Sequence, residues 1–402
     1  MANEVIVYLD DYKYSGDGNF DTMYLDFRTS GDYDVFIQQT GEERTKGSYV
    51  QIDNYRSPRR LRRGCYYALN INMLRKVQAE YNFESHLIGR TYNFSRYDGD
   101  NDKHTHLLMT HQPLDASQLS SHHHNRLVLM ERLNSTNDLE FRVNDVSQGN
   151  WNEIRQNGKV KLVYDIGAPI TASNAELQHY ISQYSSQYAV DHPNLILSHW
   201  DMDHYHCLMQ MTDAELRNFS EFICVDKMKS LTSKSLYNRM EQVLGSHNII
   251  CYAPRRRTPQ TAFPQMHELF QNESVSVYVG ENSGTTNYSG IMLFVRGDKN
   301  HVFFTGDSLP CQANQVLHHQ ASLQRLTPGH YLVVPHHGGD FKKAYKIYNL
   351  VAGIQAIEAI ISVDQGNNTY GHPKVSMLNW LASIANWSVE RTDQSGTMVR
   401  SL

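Results

Sequence analysis

Four short apolar runs in this chain each lead into side chains that bind metal ions. LILS (195–198) continues directly into His199-Trp-Asp201-Met-Asp203-His204, and FFTG (303–306) into Asp307. YLVVP (331–335) continues into His336-His337, and AIISV (359–363) is followed nine residues after Val363 by His372. Short apolar runs bounded by turn residues predict buried strands. In an α/β sheet the loops at the C-terminal strand ends converge on one crevice. The chain must therefore fold so that four strand ends share an edge, and that edge is the expected site.

Composition fits such a fold. Of 402 residues, 40% are hydrophobic and 20% charged, enough apolar mass for one large domain and a smaller one. No apolar run approaches the roughly 20 residues of a membrane helix. The start, MANEVIVYLDDYKY, lacks the basic end and apolar stretch of a signal peptide. Five scattered cysteines without a CxxC pair argue against a thiolate zinc site and a disulfide framework, so a cytoplasmic protein is expected. A net charge of -5 excludes a grossly basic protein that coats nucleic acid. Histidine is the outlier, at 21 residues.

Residues 1–130 read as a β-rich accessory region and 131–402 as the catalytic domain. The first part has strand-like runs, EVIVYL, DVFIQQ and SYVQI, and an expected helix over Tyr66–Tyr81 on Leu69, Met73, Leu74 and Val77. The polar segment QPLDASQLSSHHHN (112–125) reads as a linker. From Leu139 the pattern becomes βα-like. KLVYD (161–165) is a buried strand, and Ser173-Asn-Ala-Glu176 is a capping box opening a helix on Leu177, Ile181, Tyr184 and Tyr188. IMLFV and HVFFT form a hairpin, helices are expected near 342–350 and 374–385, and 212–245 reads as a mostly helical insertion.

The loop His199-x-Asp201-x-Asp203-His204 offers four ligands whose alternating and adjacent spacing can split them between two metal positions. Two ions about 3.5–4 Å apart form the clamp used in hydrolysis of phosphate esters and amides. Asp307, alone on its strand end, is the natural carboxylate to bridge them.

Residues 139–402 resemble the metallo-β-lactamase fold, and specifically the hydrolase domain of ComEC-type DNA-uptake proteins and their stand-alone relatives. The likeness runs in chain order through Asn144-Asp-Val-Ser-Gln-Gly-Asn150, Val163-Tyr-Asp165-Ile-Gly167 and Ser198–His204. It continues through Asn287-Tyr-Ser289, Thr305-Gly-Asp307, Val334-Pro-His336-His337-Gly338, Tyr370-Gly-His372-Pro373 and Arg391–Gly396. The chain departs from the pattern at Ser147 and Asn150, at Tyr205-His206-Cys207 after the last loop ligand, and at Gly339-Asp340. The resemblance implies an α/β fold, an αβ/βα sandwich of two βαβ-type halves with a dinuclear site at the shared strand edge. It implies metal ligation by His199, Asp201, Asp203, His204 and Asp307, completed by His336 or His337 and by His372. The choice within the His336-His337 pair and the split between the ions stay open. Asp165 is expected behind the ligands, orienting the histidine loop.

The implied chemistry is hydrolysis by a hydroxide bridging two divalent ions, Zn²⁺ or Mn²⁺, with Asp203 positioning the water and His337 meeting the substrate or leaving oxygen. A phosphodiester, and nucleic acid in particular, is the leading substrate. Arg59, Arg60, Arg62 and Arg63, with Arg255–Arg257, are candidate contacts to a phosphate backbone. A small-substrate esterase of phosphocholine type, a lactonase, or a non-catalytic regulatory module are the alternatives, with residues 1–130 as a possible protein-binding part. No membrane association is expected.

Overall fold

The computed structural model describes the chain apart from residues 1–3, 17–18, 42–43, 45–47, 58–60, 78, 82–87, 95–108, 113–132, 134, 260, 343–344, 347, 351, 365–370 and 384–386. By compactness it divides into two units: residues 1–119 with 170–176 and 228–238, and the remainder. The expected linker beyond Gln112, with His122-His123-His124, lies outside the described residues, as do Arg59, Arg60 and Tyr370.

The first unit is built on β1 (Glu4–Gly16), β2 (Asn19–Phe27), α1 (Ser30–Thr40), β3 (Tyr49–Arg56), β4 (Tyr66–Asn70), α2 (Ile71–Leu74), β5 (Ala79–Tyr81), β6 (Ile88–Asn93) and β7 (Met109–Gln112). Its seven strands form one sheet in the order β5-β6-β3-β2-β1-β4-β7. Val5, Val7 and Leu9 alternate along β1 into a core with Phe27, Phe36, Ile52 and Leu69, as the two-residue period requires. DVFIQQ, expected as a strand, lies inside α1. Thr29 caps that helix by accepting from Asp32 N, Gly41 ends it in the left-handed conformation, and Tyr33 and Phe36, three apart, share its buried face. The helix expected over Tyr66–Tyr81 is β4 followed by a single turn. β4 is claimed by pairing with β1 and β7, and Asn70 caps the turn through Met73 N.

The second unit continues with β8 (Leu139–Val143), β9 (Trp151–Gln156), β10 (Lys159–Ile166), α3 (Asn174–Tyr184), α4 (Tyr188–Asp191), β11 (Asn194–Ile196) and α5 (Met202–Gln210). Next come α6 (Asp213–Leu216), β12 (Phe222–Val225), α7 (Leu231–Leu244, of which the residues up to 238 count with the first unit) and β13 (Ile249–Tyr252). These precede β14 (Met266–Gln271), β15 (Val275–Gly280), β16 (Ile291–Arg296), β17 (Asn300–Phe304), α8 (Pro310–Ser322), β18 (Gly329–Val333), β19 (Gln355–Ile361), α9 (Val375–Ser383), β20 (Ser388–Arg391), α10 (Thr392–Ser395) and β21 (Met398–Ser401). One sheet runs β13-β12-β11-β10-β9-β8-β21 and the other β14-β15-β16-β17-β18-β19-β20. Strands β10 to β13 are parallel, as are β17 to β20, so each sheet has an antiparallel and a parallel half.

The sheets pack face to face through Phe141 and Tyr164, whose rings lie 5.9 Å and 5.6 Å from that of Phe304. Trp151 points the other way, onto Tyr184 and Tyr188 of α3 and α4. On the far side of the second sheet, Met292, Phe294, Phe303 and Leu332 pack with Val316 and Leu317 of α8 and Met377 and Leu381 of α9. Helix, sheet, sheet, helix is the αβ/βα sandwich. Two expectations fail here. The stretch 212–245 contains a wholly buried strand, β12, that pairs on both sides. Near 342–350, where 343–344 and 347 lie outside the described residues, none of the described residues belongs to an α-helix. Among the described residues, no helix is long and apolar enough to cross a membrane.

One packing feature makes a prediction. His301 and His330 are fully buried on β17 and β18 with their rings stacked 4.6 Å apart. Burial pushes His301 down to about 3, and burial together with His301 holds His330 well below the usual imidazole value. The unfolded chain binds protons at both from about pH 6.5 downward, whereas the folded chain does not. Stability from these depressed groups is therefore full above about pH 6.5 and falls below it, by about 1.4 kcal/mol per pH unit for each imidazole. His330→Phe is expected to shift the acid unfolding midpoint downward, read by far-ultraviolet circular dichroism between pH 7 and 3.

Candidate metal centre

Strand β11 ends at Ile196, and Leu197-Ser198 carry the chain to His199 in extended backbone. Asp201 is the N-cap of α5, so Asp203 and His204 fall in its first turn. The HxDxDH spacing thus spans a loop and a helix start, which brings His199, Asp201, Asp203 and His204 to one end of β11. Asp307 follows β17, and His336-His337 follow β18. All except His336 are essentially buried: His199 0%, Asp201 1%, Asp203 3%, His204 0%, Asp307 1% and His337 2% exposed.

Asp307 faces two ways. Its Oδ2 lies 3.6 Å from His199 Nε2, which is 3.4 Å from Asp201 Oδ2, and His336 Nδ1 also contacts that oxygen. Its Oδ1 lies 3.1 Å from His204 Nε2, which is 3.8 Å from Asp203 Oδ1; Asp203 Oδ2 is 3.2 Å from His337 Nε2. Bonds of about 2.0–2.2 Å in tetrahedral geometry separate ligand atoms by about 3.3–3.6 Å. The observed spacings fall around that range. His199, His204 and Asp307 form one group that can hold a metal ion, and Asp203, His204 and His337 another.

The imidazoles are turned for this. His204 Nδ1 bonds Asp165 Oδ2 at 2.8 Å and His337 Nδ1 bonds the Ser362 carbonyl at 2.8 Å, which leaves the Nε2 lone pairs facing the carboxylates. Nε2 of His199, His204 and His337 and Oδ1 of Asp307 are buried with no hydrogen-bond partner. Such orphaned atoms are costly unless a cation completes them. Electrostatics agree. Burial opposes the shift, yet His336, His204 and His199 hold Asp307 well below the usual carboxylate range, and His204 and His337 bring Asp203 to about 2. Against its own burial, His204 is held well above the usual imidazole value by Asp307 and Asp165.

The supporting shell is equally built. Asp165 Oδ1 accepts Ser198 N at 2.6 Å, and Oδ2 accepts Ser198 Oγ as well as His204. Thr286 Oγ1 donates to Asp201 Oδ1 at 2.6 Å, and Asn287 Nδ2 to Asp307 Oδ2 at 2.9 Å. Asp165, His336 and His337 have positive φ, of 62°, 54° and 49°. Such backbone is rare for residues other than glycine and clusters at functional sites.

His199, Asp201, Asp203, His204, Asp307, His336 and His337, with Asp165 behind them, come together here. His372 lies beside His336, ring centroids 5.2 Å apart; Asp201, His336 and His372 fall outside the two groups of His199, His204 and Asp307 and of Asp203, His204 and His337. Arg62 and Arg255–Arg257 are exposed, and Arg63 is 3.7 Å from Asp11. Thr286 was not singled out at all. Its hydroxyl sits one residue before the Asn287-Tyr-Ser289 motif, which was the available signal.

No family model matches the sequence, and no curated protein matches it. Among solved structures, the chain is similar to Tm1679, a metal-dependent hydrolase of the beta-lactamase superfamily, at 9% identity and TM-score 0.36 over 66% of this chain and 99% of that one. It is similar to CmlA, a diiron beta-hydroxylase from Streptomyces venezuelae, at 11% identity and TM-score 0.37, over 66% of this chain and 54% of that one. It is also similar to Zn(2+)-bound PqqB from Methylobacterium extorquens, at 9% identity and TM-score 0.32 over 65% and 100%. At such values these similarities assign no activity to this chain, and the functional reading rests on its own side chains.

Proposed function

We propose that this chain is a dinuclear metal-dependent hydrolase of phosphodiesters, related to the hydrolase domain of ComEC-type proteins. The observation that carries the reading is that buried Asp307 turns Oδ2 to His199 and Oδ1 to His204, within two overlapping groups that share His204. His199, Asp201, His336 and Asp307 Oδ2 would hold the first ion. Asp203, His204, His337 and Asp307 Oδ1 would hold the second. Bound divalent ions supply a water acidified to near-neutral pKa and neutralise charge on phosphoryl oxygens.

The protein's own part is positioning. Asp165 and Ser362 fix the tautomers of His204 and His337, and Thr286 and Asn287 orient the carboxylates. This reading gives His337 a ligand's place instead of a proton donor's, because its Nδ1 is committed to Ser362 and its side chain is 1% exposed. The neighbouring His336, with 21% of its side chain exposed, is the imidazole that substrate can meet.

The test is the purified full chain loaded with Zn²⁺ or Mn²⁺. Two ions per chain are expected by elemental analysis, with metal-dependent cleavage of bis-p-nitrophenyl phosphate and of single- or double-stranded DNA or RNA. Failure to bind metal would overturn the reading. Turnover of a lactone or of a small phosphocholine ester, with neither nucleic acid nor bis-p-nitrophenyl phosphate cleaved, would move the substrate to the small-molecule class.

A further inference from the structure

We infer that Lys227 is a positioning residue for the first of the two proposed metal positions and has no such effect on the second. It stands two residues beyond β12, at the same sheet edge that delivers the ligands, and is 7% exposed. An ammonium group has three donors and no acceptor. Here Nζ donates to the Ser283 carbonyl at 2.5 Å, to the Thr285 carbonyl at 2.8 Å and to Ser289 Oγ at 2.7 Å. All three acceptors lie on one short segment, residues 283–289. A buried charge spent in this way on a loop is costly to desolvate and is repaid only if the loop keeps its shape around it.

That segment carries Thr286 and Asn287. Between two of the caged residues, Thr286 Oγ1 reaches Asp201 Oδ1 at 2.6 Å and Asn287 Nδ2 reaches Asp307 Oδ2 at 2.9 Å. Ser289 Oγ, besides accepting from Lys227, donates to the Glu281 carbonyl at 2.9 Å and accepts from Ser283 N at 3.0 Å, which closes the loop on itself. The exit of the segment is fixed by Ile291 N to Ser198 O at 2.8 Å, next to His199. Both orienting bonds fall on oxygens of the group formed by His199, Asp201, His336 and Asp307 Oδ2. Asp203, His204 and His337 are oriented instead by α5, Asp165 and Ser362. The two positions share Asp165 and Ser198, whose Oγ also meets His199 Nδ1 at 2.9 Å, and the segment held by Lys227 adds a support of its own on Asp201 Oδ1 and Asp307 Oδ2.

This inference rests on the proposed dinuclear centre, and its test separates the two. Zn²⁺ is titrated into the metal-free full chain against a chromophoric chelator, with the bound metal counted after dialysis. Wild type is expected to bind two ions. Lys227→Met is expected to weaken one of the two by about 10–100-fold, the range for loss of a residue that orients a ligand, while the other keeps its affinity within about twofold. Thr286→Val and Asn287→Ala leave the lysine cage intact and should show an unchanged circular dichroism spectrum; Thr286→Val should weaken the same ion, and Asn287→Ala, whose bond falls on the bridging Asp307, should weaken that ion more than the other. If Lys227→Met does not fold, these two variants decide the matter. Two ions with unchanged affinities in Lys227→Met, or in both Thr286→Val and Asn287→Ala, would overturn the inference and leave the dinuclear centre standing. Equal weakening of both ions would overturn the claim of selectivity. A wild type that binds fewer than two ions would instead remove the dinuclear centre itself.

Discussion

Replacing Asp307 by alanine is expected to strip both metal positions and to lower any hydrolytic rate by about 10³-fold or more, since several kcal/mol of charge stabilisation disappear at about 1.4 kcal/mol per tenfold. Asp307 offers a separate atom to each side: Oδ2 is 3.6 Å from His199 Nε2, and Oδ1 is 3.1 Å from His204 Nε2. Asp201→Ala provides the contrast. Its carboxylate touches His199 and Thr286 on the first side, so one ion should remain. The comparison is read by elemental analysis of the dialysed proteins and by initial rates on bis-p-nitrophenyl phosphate. Two tightly held ions and wild-type rates in Asp307→Ala would remove the bridging role. Asp307→Asn adds a further check, because it keeps the volume and the bond from Asn287 in altered form while losing the charge that the histidines hold.

Which of these residues the sequence discloses depends on how each is positioned. The candidate ligands after β11, β17 and β18 are legible because a strand end is a fixed direction: once LILS, HVFFT and YLVVP are strands, the residues after them must emerge at one edge. Lys227 obeys the same rule after FICV, but four apolar residues carry no period that separates strand from helix. Read as part of a helical insertion, 212–245 hid both β12 and the lysine at its end. DVFIQQ failed for a related reason. Its apolar residues fit either period, and the decision lay outside it, in the cap at Thr29 and the left-handed Gly41.

The His336-His337 pair shows a different limit. In extended backbone, neighbouring side chains point to opposite faces, so the sequence poses a choice of one histidine. The structure has both residues in left-handed backbone, with φ/ψ of 54°/43° and 49°/30°. Both imidazoles then turn towards carboxylates, His336 to Asp307 and His337 to Asp203. No residue type announces that turn, because neither histidine is a glycine and Gly338 comes after them rather than before.

Gly167→Ala is expected to be the most damaging substitution outside the ligands, and the cause is steric. A Cβ at Gly167 would lie 1.7 Å from the Asp203 carbonyl oxygen, 2.5 Å from its carbon and 2.9 Å from His204 Cα. These are backbone atoms of the first turn of α5, so relief requires moving the helix by more than an ångström rather than turning a side chain. The turn is tied to Asn150, whose N donates to Asp203 O at 3.0 Å while its own carbonyl accepts Gly167 N at 2.8 Å. Displacing it breaks those bonds and carries Asp203 and His204 away from Asp307. A loss of roughly 3–5 kcal/mol is expected, at the upper end for a single substitution. Zn²⁺ binding should be lost even in whatever fraction folds. Gly31, early in α1, is the control: the nearest atom to its added Cβ is Thr29 Oγ1 at 3.7 Å, so Gly31→Ala should be neutral or stabilising by up to about 1 kcal/mol. Thermal unfolding followed by circular dichroism, with and without Zn²⁺, measures both terms. A Gly167→Ala protein that melts with wild type and still takes up two ions would mean that α5 is not seated on this glycine, and with it would go the account of how Asp203 and His204 are aimed.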